Sequence, residues 1–142
     1  MSWTITDHDC YINTSIGKIK IKPRPHGRLC DVYIGNLGLF MVEAGRLDTA
    51  RLMAVAKLKT RAQLIRKRMM APSYQAKTYD ALGQAIKLPL GNLRVRYSNE
   101  CSYSIHLNQK VIAKNLDNFG LHVVGPSILD KTLENFIQQI NE

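Results

Sequence analysis

Acidic side chains are scarce in this chain, 11 against 20 Lys and Arg, and none occurs between Asp48 and Asp80. Cysteine is sparse too. Cys10, Cys30 and Cys101 are odd in number and lack metal-ligand spacing, which argues against a disulfide framework and suits a reducing, cytoplasmic setting. No apolar run approaches the ~20 residues that cross a bilayer. The first basic residue is Lys18 and no apolar h-region follows Met1, so neither a membrane partner nor a secretory leader is expected. Internal repeats and low-complexity linkers are also missing. A chain of 142 residues, 45% hydrophobic, is expected to bury one core as one domain.

What the sequence does have is positive charge, unevenly placed. The formal net charge is +9, and residues 46–96 alone carry twelve basic against two acidic side chains. A solvated helix face normally mixes signs, because opposite charges at i,i+4 attract and like charges repel. A crowd of cations without local partners therefore points to an anion supplied from elsewhere.

Periodicity places these cations on elements. Trp3–Thr6 and Tyr11–Asn13 read as short strands, and Lys18-Ile19-Lys20-Ile21-Lys22 alternates as a half-buried strand does. The prolines that follow, Pro23 and Pro25, suggest a sheet edge. Leu29–Phe40 adds one or two strands, with Gly35 and Gly38 marking a turn or bulge. From Asp48, a candidate N-cap with a Leu47/Leu52 staple, a long helix is expected. Val55, Leu58, Ala62, Ile65 and Met69 form its apolar stripe, Lys57, Arg61 and Arg68 flank one side, Lys59, Arg66 and Lys67 the other, and Pro72 stops it. A weaker helix is expected over Ser73–Lys87. Leu93, Val95 and Tyr97 alternate with Arg94 and Arg96, and a strand over Ser102–Leu107 completes a hairpin before an Asn108-Gln109 turn into Val111–Ala113. Gly125-Pro126-Ser127 opens a last helix with Ser127 and Asp130 at capping-box spacing and Leu129, Leu133, Phe136, Ile137 and Ile140 on one face.

The expected architecture is a single α+β domain: a small antiparallel sheet packed with a long basic helix and a C-terminal amphipathic helix. Its segments are a β-meander over 1–45, a helical stretch over 46–88, a hairpin region over 92–114 and a helix over 126–141.

Short motifs add little. Val32-Tyr33-Ile34-Gly35-Asn36-Leu37 resembles the six-residue RNP2 strand of RNA-recognition motifs, in which an aromatic on the open sheet stacks on a base. The RNP1 strand that should follow some thirty residues later is replaced by the basic helix. Gly35-Asn36-Leu37-Gly38 has the GxxG form of KH loops but joins strands rather than helices, and Tyr33-Ile34-Gly35 is half of a GIY-YIG nuclease signature without its partner. In Asp7-His8-Asp9-Cys10 two carboxylates would share one strand face, but a metal nuclease needs further acids and only Asp31 and Glu43 are near in sequence; a polar turn is expected there. Pro23-Arg24-Pro25-His26-Gly27-Arg28 sets two guanidiniums and an imidazole on a stiff loop that could grip phosphate. His106 and His122 lie in strand-like segments with no catalytic motif beside them in sequence, and ordinary structural roles are expected for both.

Nothing here calls for a cofactor or a metal. The reading is a non-enzymatic protein that binds DNA or RNA through its basic helix and strands, with Lys18, Lys20, Lys22, Arg24, Arg28, Lys57, Lys59, Arg61, Arg66, Lys67, Arg68, Arg94 and Arg96 as candidate contacts. The alternative is an inhibitor or accessory module docking the same surface on an acidic protein or nucleoprotein complex. A small nuclease using His26 or Asp7 and Asp9 comes third.

Overall fold

The computed structural model describes residues 2–69, 84–98 and 102–141. Two antiparallel sheets and three helices share one hydrophobic core among these residues. The first sheet is a plain meander in sequence order: β1 (Thr4–Ile5), β2 (Cys10–Thr14), β3 (Gly17–Pro23), β4 (Leu29–Ile34) and β5 (Leu37–Glu43). Side chains alternate in strands, and Cys10, Ile12, Ile19, Ile21, Cys30, Val32 and Ile34 all turn inward. Tyr11, Lys18, Lys20, Lys22 and Tyr33 take the outer face by the same alternation.

The lysine-rich strand is not an edge. β3 lies at the centre, bonded to β2 and β4. Its proline closes the strand as the last residue, where a missing N–H interrupts nothing inside the ladder.

Helix α1 (Leu47–Met69) lays Ala50, Ala54, Leu58, Ala62, Ile65 and Met69 on the inner face of that sheet. Small alanines take the inward positions of its first two turns, and Val55 only flanks the core. The expected start differs as well. The helix begins at Leu47, Asp48 sits within the first turn, and Leu52 is 62% exposed, so no staple closes there. The expected stop at Pro72, and most of the weaker helix over Ser73–Lys87, lie outside the described residues. That helix's end is corrected: Ile86–Leu88 is strand β6, because Ile86 pairs with Leu93 across a tight turn.

The region expected to be a hairpin is a second, four-stranded sheet: β6, β7 (Gly91–Tyr97), β8 (Tyr103–Leu107) and β9 (Lys110–Leu116), in sequence order. Leu93, Val95, Ile105 and Leu107 form its buried face. A short helix and a longer one follow. In α2 (Asn118–Val123) the Asp117 carboxylate caps the Gly120 N–H. In α3 (Gly125–Ile140) the five expected apolar positions are all buried. The expected capping box does not form. Val124 is the N-cap, without a side-chain bond, and Asp130 is turned onto α1 instead. Trp3 ties the start of the chain to its end by donating Nε1–H to the Ile140 carbonyl at 2.9 Å. No helix among the described residues is long and apolar enough to cross a membrane.

Candidate nucleic-acid interface

The thirteen expected contact residues separate into those the fold uses itself and those it leaves to solvent. Arg66 is the clearest of the first kind. Its Nε donates to Asp130 Oδ1 at 2.8 Å and its Nη2 to Oδ2 at 3.3 Å, joining α1 to α3. That hydrogen bond pushes the guanidinium pKa further up. Arg24 makes the same forked pair with Asp31, at 3.1 Å twice, and reaches Met41 Sδ. Lys20 lies 3.7 Å from Asp9. Arg61 meets no carboxylate but is occupied. It donates to the Pro89 carbonyl at 2.9 Å and to the Leu39 carbonyl at 3.4 Å, and it covers the Phe40 ring at 4.7 Å. Lys57 shares that ring at 5.4 Å. Arg28 lies against Gly45, where a Cβ would come within 3.3 Å of its Nη2. These cations are partly or wholly neutralised, or positioned, by the chain itself.

Lys18, Lys22, Lys59, Lys67, Arg68, Arg94 and Arg96 have no carboxylate partner among the described residues. They do not form one surface. Because α1 packs on the inner face of the first sheet and the β3 lysines sit on its outer face, the sheet itself stands between them.

One part of this set faces a concavity. A cleft of about 530 Å³ opens where the turns of the first sheet meet the second sheet. The β2–β3 turn brings Ile16 and Gly17 to it, the β4–β5 turn brings Asn36 and Leu37, and β7 brings Arg94 and Arg96. Two residues apart on one strand, these guanidiniums start about 7 Å from each other on one face. Lys110, the first residue of β9 after the β8–β9 turn, joins them. The sequence pattern marks that turn but does not single out the lysine. Its signal was there, a cation directly after a predicted Asn-Gln turn, though nothing local says that the turn folds beside Arg94.

The turn is held by one side chain. Asn108, at φ 58°, accepts the Asn92 N–H on Oδ1 at 3.1 Å and donates Nδ2–H to the Leu90 carbonyl at 3.2 Å. Gly91 (φ +130°) leaves the space this amide fills.

Beside the arginines, in register, stand His106 opposite Arg94 and Ser104 opposite Arg96. His106 Nε2 and Ser104 Oγ share a hydrogen bond at 2.8 Å. Burial, then the charges of Arg96 and Arg94, hold the imidazole below its usual pKa. With its pKa held down in this way, the imidazole is neutral at pH 7 and adds no charge to the rim.

The remaining candidates are turns or core. Thr6, Asp9 and the His8 N–H bond to one another around the β1–β2 turn, and Asp9 faces Lys20 rather than a second acid cluster. Cys10 and Cys30 are buried free thiols, and burial raises the pKa of Cys10 to about 11, which leaves it unreactive. Tyr33 stands on the outer face between Lys20 and Gly38 in register, as an RNP2 aromatic would, but the strand order β1-β2-β3-β4-β5 of its sheet runs straight through in sequence. Comparison with protein-family models, with curated proteins and with solved structures finds no match to this chain.

Proposed function

We propose that the protein binds nucleic acid, without chemistry on it, by seating phosphates against cations that the fold leaves unpaired. The observation that carries this is the placement of Arg94 and Arg96 side by side at the rim of a cleft, with Lys110 beside them and no carboxylate opposite among the described residues. Guanidiniums grip phosphate bidentately, and an uncompensated pair at a concave rim is otherwise a cost in self-repulsion. The outer face of β3, with Lys18 and Lys22, and the exposed face of α1, with Lys59, Lys67 and Arg68, extend the positive field.

The test is anisotropy titration of a labelled mixed-sequence oligonucleotide at several salt concentrations. Affinity should fall steeply with salt, and Arg94→Ala with Arg96→Ala should lower the log–log slope by about 1.5, since each phosphate contact contributes roughly 0.7–0.9. Binding that ignores salt, or no binding, overturns the reading.

A second reading is docking of the same basic surface on an acidic protein or nucleoprotein complex; Phe119, Val123 and Val124, apolar and 72%, 54% and 44% exposed around α2, favour a protein partner over nucleic acid. Capture of one defined protein that persists after nuclease treatment favours it.

A further inference from the structure

We propose that the cleft receives one nucleotide unit, so that the protein selects single-stranded over duplex nucleic acid; the proposal rests on the nucleic-acid reading above. Shape is the first argument. A duplex presents phosphates on a convex surface with its bases stacked inside, and could touch only the rim. A concavity of about 530 Å³ falls within the usual range of small-ligand sites, about 300–1,000 Å³.

The chemistry of the lining is the second argument. It is divided in the way a nucleotide is divided. Arg94, Arg96 and Lys110 supply charge, Leu37 (39% exposed) supplies an apolar surface, and Asn36 and Gln109 offer amides. A phosphate belongs with the first group, a base face with the second, and a base edge with donors and acceptors of the third. Asn108 is not available as a ligand, because both ends of its amide hold the turn. It keeps the second wall rigid, so the site exists before anything binds.

The exit path is the third argument. Gly17, at the cleft, leads directly into Lys18 on the outer face of β3. The Lys18 ammonium lies 4.1 Å from the Tyr11 ring centroid, and one row further Lys20, partly offset by Asp9 at 3.7 Å, stands in register between Tyr11 and Tyr33. A strand leaving the cleft therefore meets ammonium groups interleaved with phenol rings. Surfaces of that kind hold single strands through their backbone and their unstacked bases.

The test uses the full chain and one labelled oligonucleotide, free or annealed to its complement, at the same low salt. The single strand should bind at least about tenfold more tightly, a ratio that one stacked base can supply. Asn36→Trp plugs the cleft from an exposed turn position without changing charge. It should bring single-strand affinity down to the duplex level while the melting temperature stays unchanged. Gln109→Trp plugs the opposite wall and serves if the first variant fails to fold. Equal or tighter duplex binding, or a single-strand preference that survives both plugs, overturns the cleft assignment and leaves salt-sensitive nucleic-acid binding standing. Absence of binding to either form overturns the reading beneath it.

Discussion

Arg66 and Arg94 carry the same guanidinium in opposite surroundings, one paired with a carboxylate and the other at the rim of a cleft. Arg66 is forked onto Asp130, with side chains 26% and 36% exposed. Arg66→Ala is expected to cost about 1 kcal/mol of stability, at the upper end for partly exposed pairs, and to leave oligonucleotide affinity nearly unchanged. Thermal melts and titrations on one variant check both. His106 provides a pH handle. Its folded pKa lies below the ordinary 6.5, so the unfolded chain takes up its proton first. The stability this group contributes is complete above about pH 6.5 and declines as pH falls toward the folded value. His106→Gln should therefore flatten the acid side of the stability profile. A bound phosphate beside Arg94 and Arg96 offsets their charge, so the NMR titration midpoint of His106 should move up on saturation with oligonucleotide. A midpoint that stays put places the phosphate elsewhere.

At the scale of elements, the turn that closes the cleft is the sensitive point. Gly91→Ala sets a Cβ into the Asn108 amide at a backbone angle that L side chains avoid. It should destabilise by about 1–3 kcal/mol, the range for strained backbone, and weaken binding through the displaced turn. Helix phase gives a complementary pair. Ile65→Asp, at a position fully buried, should abolish cooperative melting, whereas Lys67→Glu should not. These phases were legible in the sequence because burial repeats every three or four residues along α1 and every two along β3. Ile86–Leu88 was not legible. Its spacing continues that of a weak helix, and only its pairing with Leu93 makes it a strand. The edge placement of β3 failed for a related reason: Pro23 reports the end of a strand, not the side on which a neighbour lies. The cleft was hidden altogether, since its walls come from turns some seventy positions apart in the chain, and long-range juxtaposition leaves no local pattern.

Across the whole molecule, net charge alone overstates what one ligand can reach. Of the cations crowded into the middle of the chain, Arg66 is spent on Asp130 and Arg61 on two carbonyls. Lys59, Lys67 and Arg68 are exposed on a helix that the first sheet separates from the outer β3 face. A strand seated at Arg94 and Arg96 and running along β3 cannot also lie on α1 without wrapping round the sheet. Charge reversal on the two surfaces should thus be unequal. Arg94→Glu with Arg96→Glu removes two contacts and adds repulsion at the same place, and should lower affinity at low salt by about a hundredfold or more, with a reduced salt slope. Lys67→Glu with Arg68→Glu changes formal charge equally but acts only through the distant field, screened over about 10 Å at 0.1 M salt. Its effect should be only a few-fold at low salt and vanish near 0.15 M. Reversed results, with the helix pair decisive and the cleft pair silent, would move the interface to α1 and its acidic partner, whether nucleic acid or protein.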